Sequence, residues 1–204
     1  MNIIDTLIEY FKEFPGIGER QARRFVYFLL HKNPTYVRNL GESILKIKDS
    51  ISICESCFLY IHGENKKLCK VCANENTDRT SLLIVEKDAD YETIKRSKNY
   101  NGMYFILGGL VPIVTKETPN YVRINELKKA VEYRAKNENL KEIIIALSIN
   151  PQGEHTDLYI REILSKIASS HNINIVSLGR GLSTGVELEY SDSETIKNAL
   201  ENRS

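Results

Sequence analysis

Leu82-Leu83-Ile84-Val85-Glu86 is the stretch on which the fold turns. Consecutive apolar residues with β-branched content, ended by an acid, describe a strand buried on both faces, since a half-exposed strand alternates apolar with polar side chains. Outward from it the same signal recurs at Met103–Leu107, Ile143–Leu147 and Ile173–Leu178. Between these runs lie Tyr91–Ser97, Ile124–Lys136 and Thr156–Ser170, whose apolar positions follow the helical period, as in Ile160, Ile163, Leu164, Ile167 and Ala168. Strand and helix in alternation imply right-handed crossovers and a parallel sheet covered on both faces.

Upstream, the chain is polar and all four cysteines fall together, as Cys54-x2-Cys57 and Cys69-x2-Cys72 with 11 residues between the pairs. Each pair can place two thiolates on one ion, and four thiolates satisfy tetrahedral zinc with no open position. The expected cofactor is one structural Zn2+, a staple for about 25 residues too few to form a core alone. The other reading is four unligated buried thiols.

Nearer the N-terminus the period is helical. Ile4, Leu7, Ile8 and Phe11 mark one helix, and Ala22, Phe25, Val26, Leu29 and Leu30 a second. Pro15-Gly16-Ile17-Gly18 breaks the pattern between them, and a third helix is expected over Val37–Ile47. This hairpin resembles the helix-hairpin-helix element that binds DNA backbone. A Gly-rich turn at a helix N-terminus, here with Gly16 and Gly18, leaves amides that suit a phosphate oxygen. Arg20, Arg23, Arg24 and Tyr27 fall opposite Ala22, Phe25 and Leu29 on the helical wheel. The span Gly16–Arg38 holds five basic residues, Arg20, Arg23, Arg24, Lys32 and Arg38, against the single acid Glu19. The competing reading is a helical hairpin with a solvated charged face.

Bulk numbers bound these readings. A net charge of +1 over 204 residues makes any nucleic-acid site a local patch. The apolar runs are far too short to cross a bilayer, so no membrane partner is expected. Met1–Tyr10 lacks a basic residue ahead of its apolar positions, which argues against a secretory leader and for a cytoplasmic address.

Acids at the carboxyl ends of parallel strands are where an open α/β sheet puts its chemistry. Glu86 ends the first such strand, Asp88 and Asp90 follow it, and Gly153-Glu154 follows the third. The arrangement resembles the Toprim domain of topoisomerases and primases, which keeps a Glu after its first strand and an Asp-x-Asp pair after a later one. Ser148 and Asn150 stand where that pair belongs. Both are neutral and cannot supply the charge a magnesium site needs. His155 is a lone loop histidine with no partner for nucleophilic catalysis.

Hairpin, four-cysteine knuckle and degenerate Toprim domain, in that order, resemble the RecR family of bacterial recombination mediators over essentially the whole chain. The likeness is tightest in Gly179-Arg180-Gly181-Leu182-Ser183-Thr184-Gly185-Val186-Glu187-Leu188-Glu189-Tyr190-Ser191-Asp192, with Thr195, Ala199-Leu200 and Arg203 after it. It is also close in Gly102–Gly109 and Pro15–Leu30. The resemblance implies an α+β multi-module chain: a helix-hairpin-helix DNA-binding region at 1–52, a zinc finger at 53–79, and a Toprim domain at 80–178. The ring would close through the N-terminal helices on one side and through an exchanged C-terminal strand-helix segment at 179–204 on the other. It implies a homo-tetramer or dimer of dimers working with RecO and RecF to load recombinase at single-stranded gaps, nucleoid-associated during repair and without enzymatic activity of its own. Carried over residue by residue, DNA contacts fall on Arg20 and Arg24 and partner contacts on Glu86 and Glu154; the pattern of the residues adds Arg23, Gly16 and Gly18 to the first set and Asp90 to the second. The alternatives are a magnesium-dependent Toprim nuclease or primase-like enzyme using Glu86, Asp88, Asp90 and Glu154, and a scaffold whose hairpin only contacts protein. Departures from the family are the long spacer at Tyr60–Lys67 and Gln152 where an acid is expected.

Overall fold

A computed structural model describes residues 2–63, 66–114 and 118–179. The strand and helix expected after Gly179 lie outside the described residues. Two compact units divide the chain at Ile51/Ser52.

The first unit is helical: α1 (Ile3–Lys12), α2 (Glu19–Leu30) and α3 (Pro34–Ser50). Asn2 opens α1 by accepting the Asp5 amide at 2.9 Å, and Asn33 opens α3 by accepting that of Tyr36 at 2.8 Å, ahead of Pro34. Gly16 turns the chain between α1 and α2 at φ 76°, a left-handed conformation that glycine adopts without cost. Ile8, Ala22 and Val26 form the buried centre with Ile4, Leu7, Phe11 and Ile17 around them. The expected α2 face holds except at its end, where Leu30 is 60% exposed. It lies about 40° beyond Val26 on the side away from Phe25, at the edge of the buried stripe. None of the residues of α3 is buried.

Two short strands open at the boundary, β1 (Ile51–Ile53) and β2 (Tyr60–His62), and pair as a small sheet. At three residues each, neither is long enough for an alternation to stand out in the sequence. The main sheet follows, with β3 (Asp78–Val85), β4 (Gly102–Ile106), β5 (Glu142–Ala146) and β6 (Asn174–Ser177) in the order β4-β3-β5-β6. All its pairings are parallel, and Leu83 sits between Tyr104 and Ile144. Leu82–Val85 and all of β4 are buried, as strands covered on both faces must be. The helices are α4 (Asp88–Ser97), α5 (Ile124–Asn137) and α6 (Pro151–His171).

Helix α6 starts five residues before the expected Thr156. Asn150 accepts the Gly153 amide at 2.8 Å and Pro151 occupies the first turn, a start signal made of polar and proline residues that apolar periodicity passes over. Gly153 is pressed against the carbonyl of Ser148, and a methyl group there would overlap that oxygen. Gly153→Ala is therefore expected to destabilise the second unit by about 2 kcal/mol, as overpacking against backbone does. The check is a lowered thermal midpoint, and an unshifted one would mean that the loop relaxes freely.

The cysteine knuckle is no separate bead on this unit. Cys54, Cys57, Leu59, Cys69, Val71 and Cys72 belong to the same buried cluster as the sheet's Leu82–Val85 and Met103–Leu107. The amide of Ile106 donates to the Cys57 carbonyl at 2.9 Å, and the Phe58 and Phe105 rings lie 5.3 Å apart.

A candidate nucleic-acid hairpin, metal centre and carboxylate cluster

On α2 the arginines emerge on the exposed face. Arg23 pairs with Glu19 one turn earlier at 2.9 Å, and Arg24 reaches Gln21 at 3.3 Å. The pair with Arg23 holds the Glu19 carboxyl below its ordinary range. Arg20 is exposed and hydrogen-bonds to no other side chain among the described residues. The helix begins at Gly18, which brings no capping side chain to the first-turn amides. Gly16, Gly18, Arg20 and Arg24 thus sit at one end of one helix.

The cysteines converge as their spacing demands. The four sulfurs lie within 4.8 Å of one another and all four residues are buried. Cys57 and Cys69 Sγ are 3.7 Å apart. Tetrahedral zinc with bonds of about 2.3 Å needs sulfurs about 3.8 Å apart, so the cage fits that ion. The two knuckles repeat one turn, with Phe58 N–H donating to Cys54 O at 2.9 Å and Ala73 N–H to Cys69 O at 3.0 Å. Amides point at the sulfurs as well: Cys69 N–H at Cys54 Sγ, 3.3 Å, and Cys72 N–H at Cys69 Sγ, 3.4 Å. Such donors stabilise thiolate charge. Hydrogen bonding from Cys57 holds the Cys54 thiol far below its ordinary range, while the same contact pushes Cys57 up.

At the carboxyl ends of the strands, Glu86 is only 8% exposed and both its oxygens are engaged. The Lys87 ammonium lies 3.1 Å from one, and the Ser148 hydroxyl donates to the other. The neighbouring acids are engaged too. Asp88 accepts the Tyr60 amide at 3.0 Å, and Asp90 accepts the Lys87 amide at 3.0 Å, closing the first turn of α4. Asp157 takes Arg161 and Ser177, each at 2.6 Å. Asn150 is spent on the cap of α6. Asp90, Glu154 and Asp157 line a cavity of about 290 Å³ together with Ser148 and Ile94. Asp90 and Glu154 thus share this cavity, whereas Glu86 does not line it. Lys87 as the counter-ion of Glu86 was legible only as an adjacent residue of opposite charge.

Comparison with known proteins matches three stretches of the chain. Residues 4–48 match the family described as RecR, helix-hairpin-helix, residues 80–178 match the Toprim domain, and residues 181–204 match RecR, C-terminal. Recombination protein RecR of Treponema denticola is 33% identical over 203 residues, covering 100% of this chain and 98% of that protein. Those of Chlorobium limicola and Chloroherpeton thalassium are 32% and 30% identical over 201 residues, covering 98% of this chain and 96% of each. With hairpin, four-cysteine cage and parallel Toprim sheet in one order and relatives matched end to end, the chain belongs to the RecR family of recombination proteins.

Proposed function

We propose that this chain is a non-enzymatic DNA-binding clamp of recombinational repair, working with RecO and RecF to load recombinase at single-stranded gaps. The observation that carries the reading is the exposed arginine face of α2 beside the uncapped Gly18 turn, within a helix-hairpin-helix region. Phosphate contacts of this kind give affinity without sequence information. The reading includes one zinc held by Cys54, Cys57, Cys69 and Cys72, closed to catalysis because all four positions are taken by sulfur. It also includes a homo-tetrameric ring, and module limits at 1–52, 53–79, 80–178 and 179–204. The absence of chemistry is supported by Ser148 and Asn150, neutral where a Toprim Asp pair belongs, and by Glu86, whose two oxygens are taken by Lys87 and Ser148. A magnesium site needs carboxylates with oxygens to spare. Glu86, Asp90 and Glu154 are then assigned to partner docking. No helix of the described residues is long and apolar enough to cross a membrane.

Arg20→Ala with Arg24→Ala tests the reading. Two lost phosphate contacts should flatten the slope of log K against log salt by about 1.4–1.8 and weaken binding to every DNA alike. Fluorescence anisotropy across a salt series measures it, with native mass as the control for folding. An unchanged slope would remove the hairpin as the contact.

A further inference from the structure

The same helix carries more than cations. At about 100° per residue, Arg23, Tyr27, Arg20, Arg24 and Phe28 fall on one continuous face of α2. Tyr27 is 50% exposed and Phe28 49%. Where α2 ends, Phe28 meets Tyr36 of α3 edge-on, with ring centroids 6.2 Å apart and planes at 84°. Tyr36 is itself 43% exposed. The Lys32 ammonium lies 4.6 Å from the Phe28 centroid and 5.5 Å from that of Tyr36. The hairpin therefore ends in two half-open rings held at a fixed angle, with a cation over both. From Arg20 to this corner is about 12 Å along the axis, eight residues at about 1.5 Å each.

We propose that the Phe28–Tyr36 corner is a stacking platform for unpaired bases, so that the hairpin prefers single-stranded DNA to duplex; this rests on the DNA-binding reading above. Cations alone give a strand no advantage, because a duplex carries the denser row of phosphates. Exposed rings discriminate: duplex bases have their faces covered by their neighbours, whereas an unpaired base offers a free face to an aromatic side chain. Lys32 now covers both rings, and a base stacking there would displace its ammonium toward the strand's own phosphate, continuing the row that Arg20 and Arg24 begin. Charge complementarity favours a nucleic-acid strand over a second copy of the chain. A two-fold self-contact across this face would set arginine rows against one another, and like charges repel.

The experiment uses the full-length protein and three labelled probes of equal length: an oligo-thymidine strand, the same backbone without bases, and a duplex. The wild type should bind the base-bearing strand about tenfold or more tightly than the abasic one, the scale of one stacked base. Phe28→Leu with Tyr36→Leu keeps apolar bulk and should erase that difference while leaving abasic and duplex binding as they were. A photocross-link from 5-iodouracil to Phe28 or Tyr36 in the wild-type protein gives a readout that needs no variant. If the variant loses equally on all three probes, or loses nothing and no cross-link forms, stacking is refuted while the arginine contact stands. A variant whose native mass falls would assign the corner to contact between copies, which also overturns the proposal. No binding of any probe by the wild type would refute the DNA reading itself.

Discussion

Cys54→Ser should empty the metal site and unfold most of the second unit, the largest effect any single substitution in this chain is expected to have. The wild-type protein should carry one zinc per chain and the variant close to none. Cys54 is fully buried, and its sulfur accepts the Cys69 amide that links the two knuckles. A serine hydroxyl is a poor substitute for thiolate toward zinc. Structural zinc contributes about 10–16 kcal/mol in small peptides near neutral pH, and a whole domain holds only about 5–15 kcal/mol of net stability. The damage cannot stay local, because the knuckle interior is continuous with the sheet: Cys57 O receives the Ile106 amide, and Phe58 packs on Phe105. Metal analysis by mass spectrometry and circular dichroism of the soluble fraction measure it. A metal-free variant that melts like the wild type would show that side-chain packing alone holds the knuckle.

How far the sequence displayed this structure depended on which force positions each element. The buried strands Leu82–Val85 and Met103–Ile106 were legible because two-sided burial imposes unbroken apolar runs. The α1 and α2 faces were legible because a two-helix contact selects one stripe. The cage was legible from spacing alone, since two turns of identical geometry need identical Cys-x2-Cys steps. Less visible were elements held by polar groups. β1 and β2 are too short and mixed to carry a period, and α6 gains its first turn from Asn150 and Pro151. At the carboxylate cluster, the sequence indicates that Ser148 lacks charge, but only the fold brings its hydroxyl onto Glu86, 62 residues away. Arg134 was overlooked although its position is telling. It lies three residues after Val131 and seven after Leu127, on the stripe α5 buries, so the pattern puts a cation in the core.

That buried cation yields a second large effect with an asymmetry that separates charge from packing. Arg134, with its side chain 4% exposed, donates to Glu138 at 2.7 Å and to Ser56 of the knuckle at 2.8 Å. Glu138 also receives Arg79 at 2.8 Å. Removing the acid strands Arg134 with a neutral hydroxyl, whereas removing Arg134 leaves Glu138 still paired with Arg79. Stranding a buried charge costs about 3–5 kcal/mol, while exchanging a buried ion for an apolar side chain of similar size is often close to neutral. Glu138→Ala should therefore lower the melting temperature by about 10 °C, on a scale of about 2–4 °C per kcal/mol for a chain of this size. Arg134→Met should lower it by only a few degrees, and adding it to Glu138→Ala should recover most of the loss. Were packing dominant, Arg134→Met would be the worse of the two and the double variant worse than either. The order of the three melting temperatures thus decides whether α5 is bound to the knuckle by a compensated charge or by the volume of one long side chain.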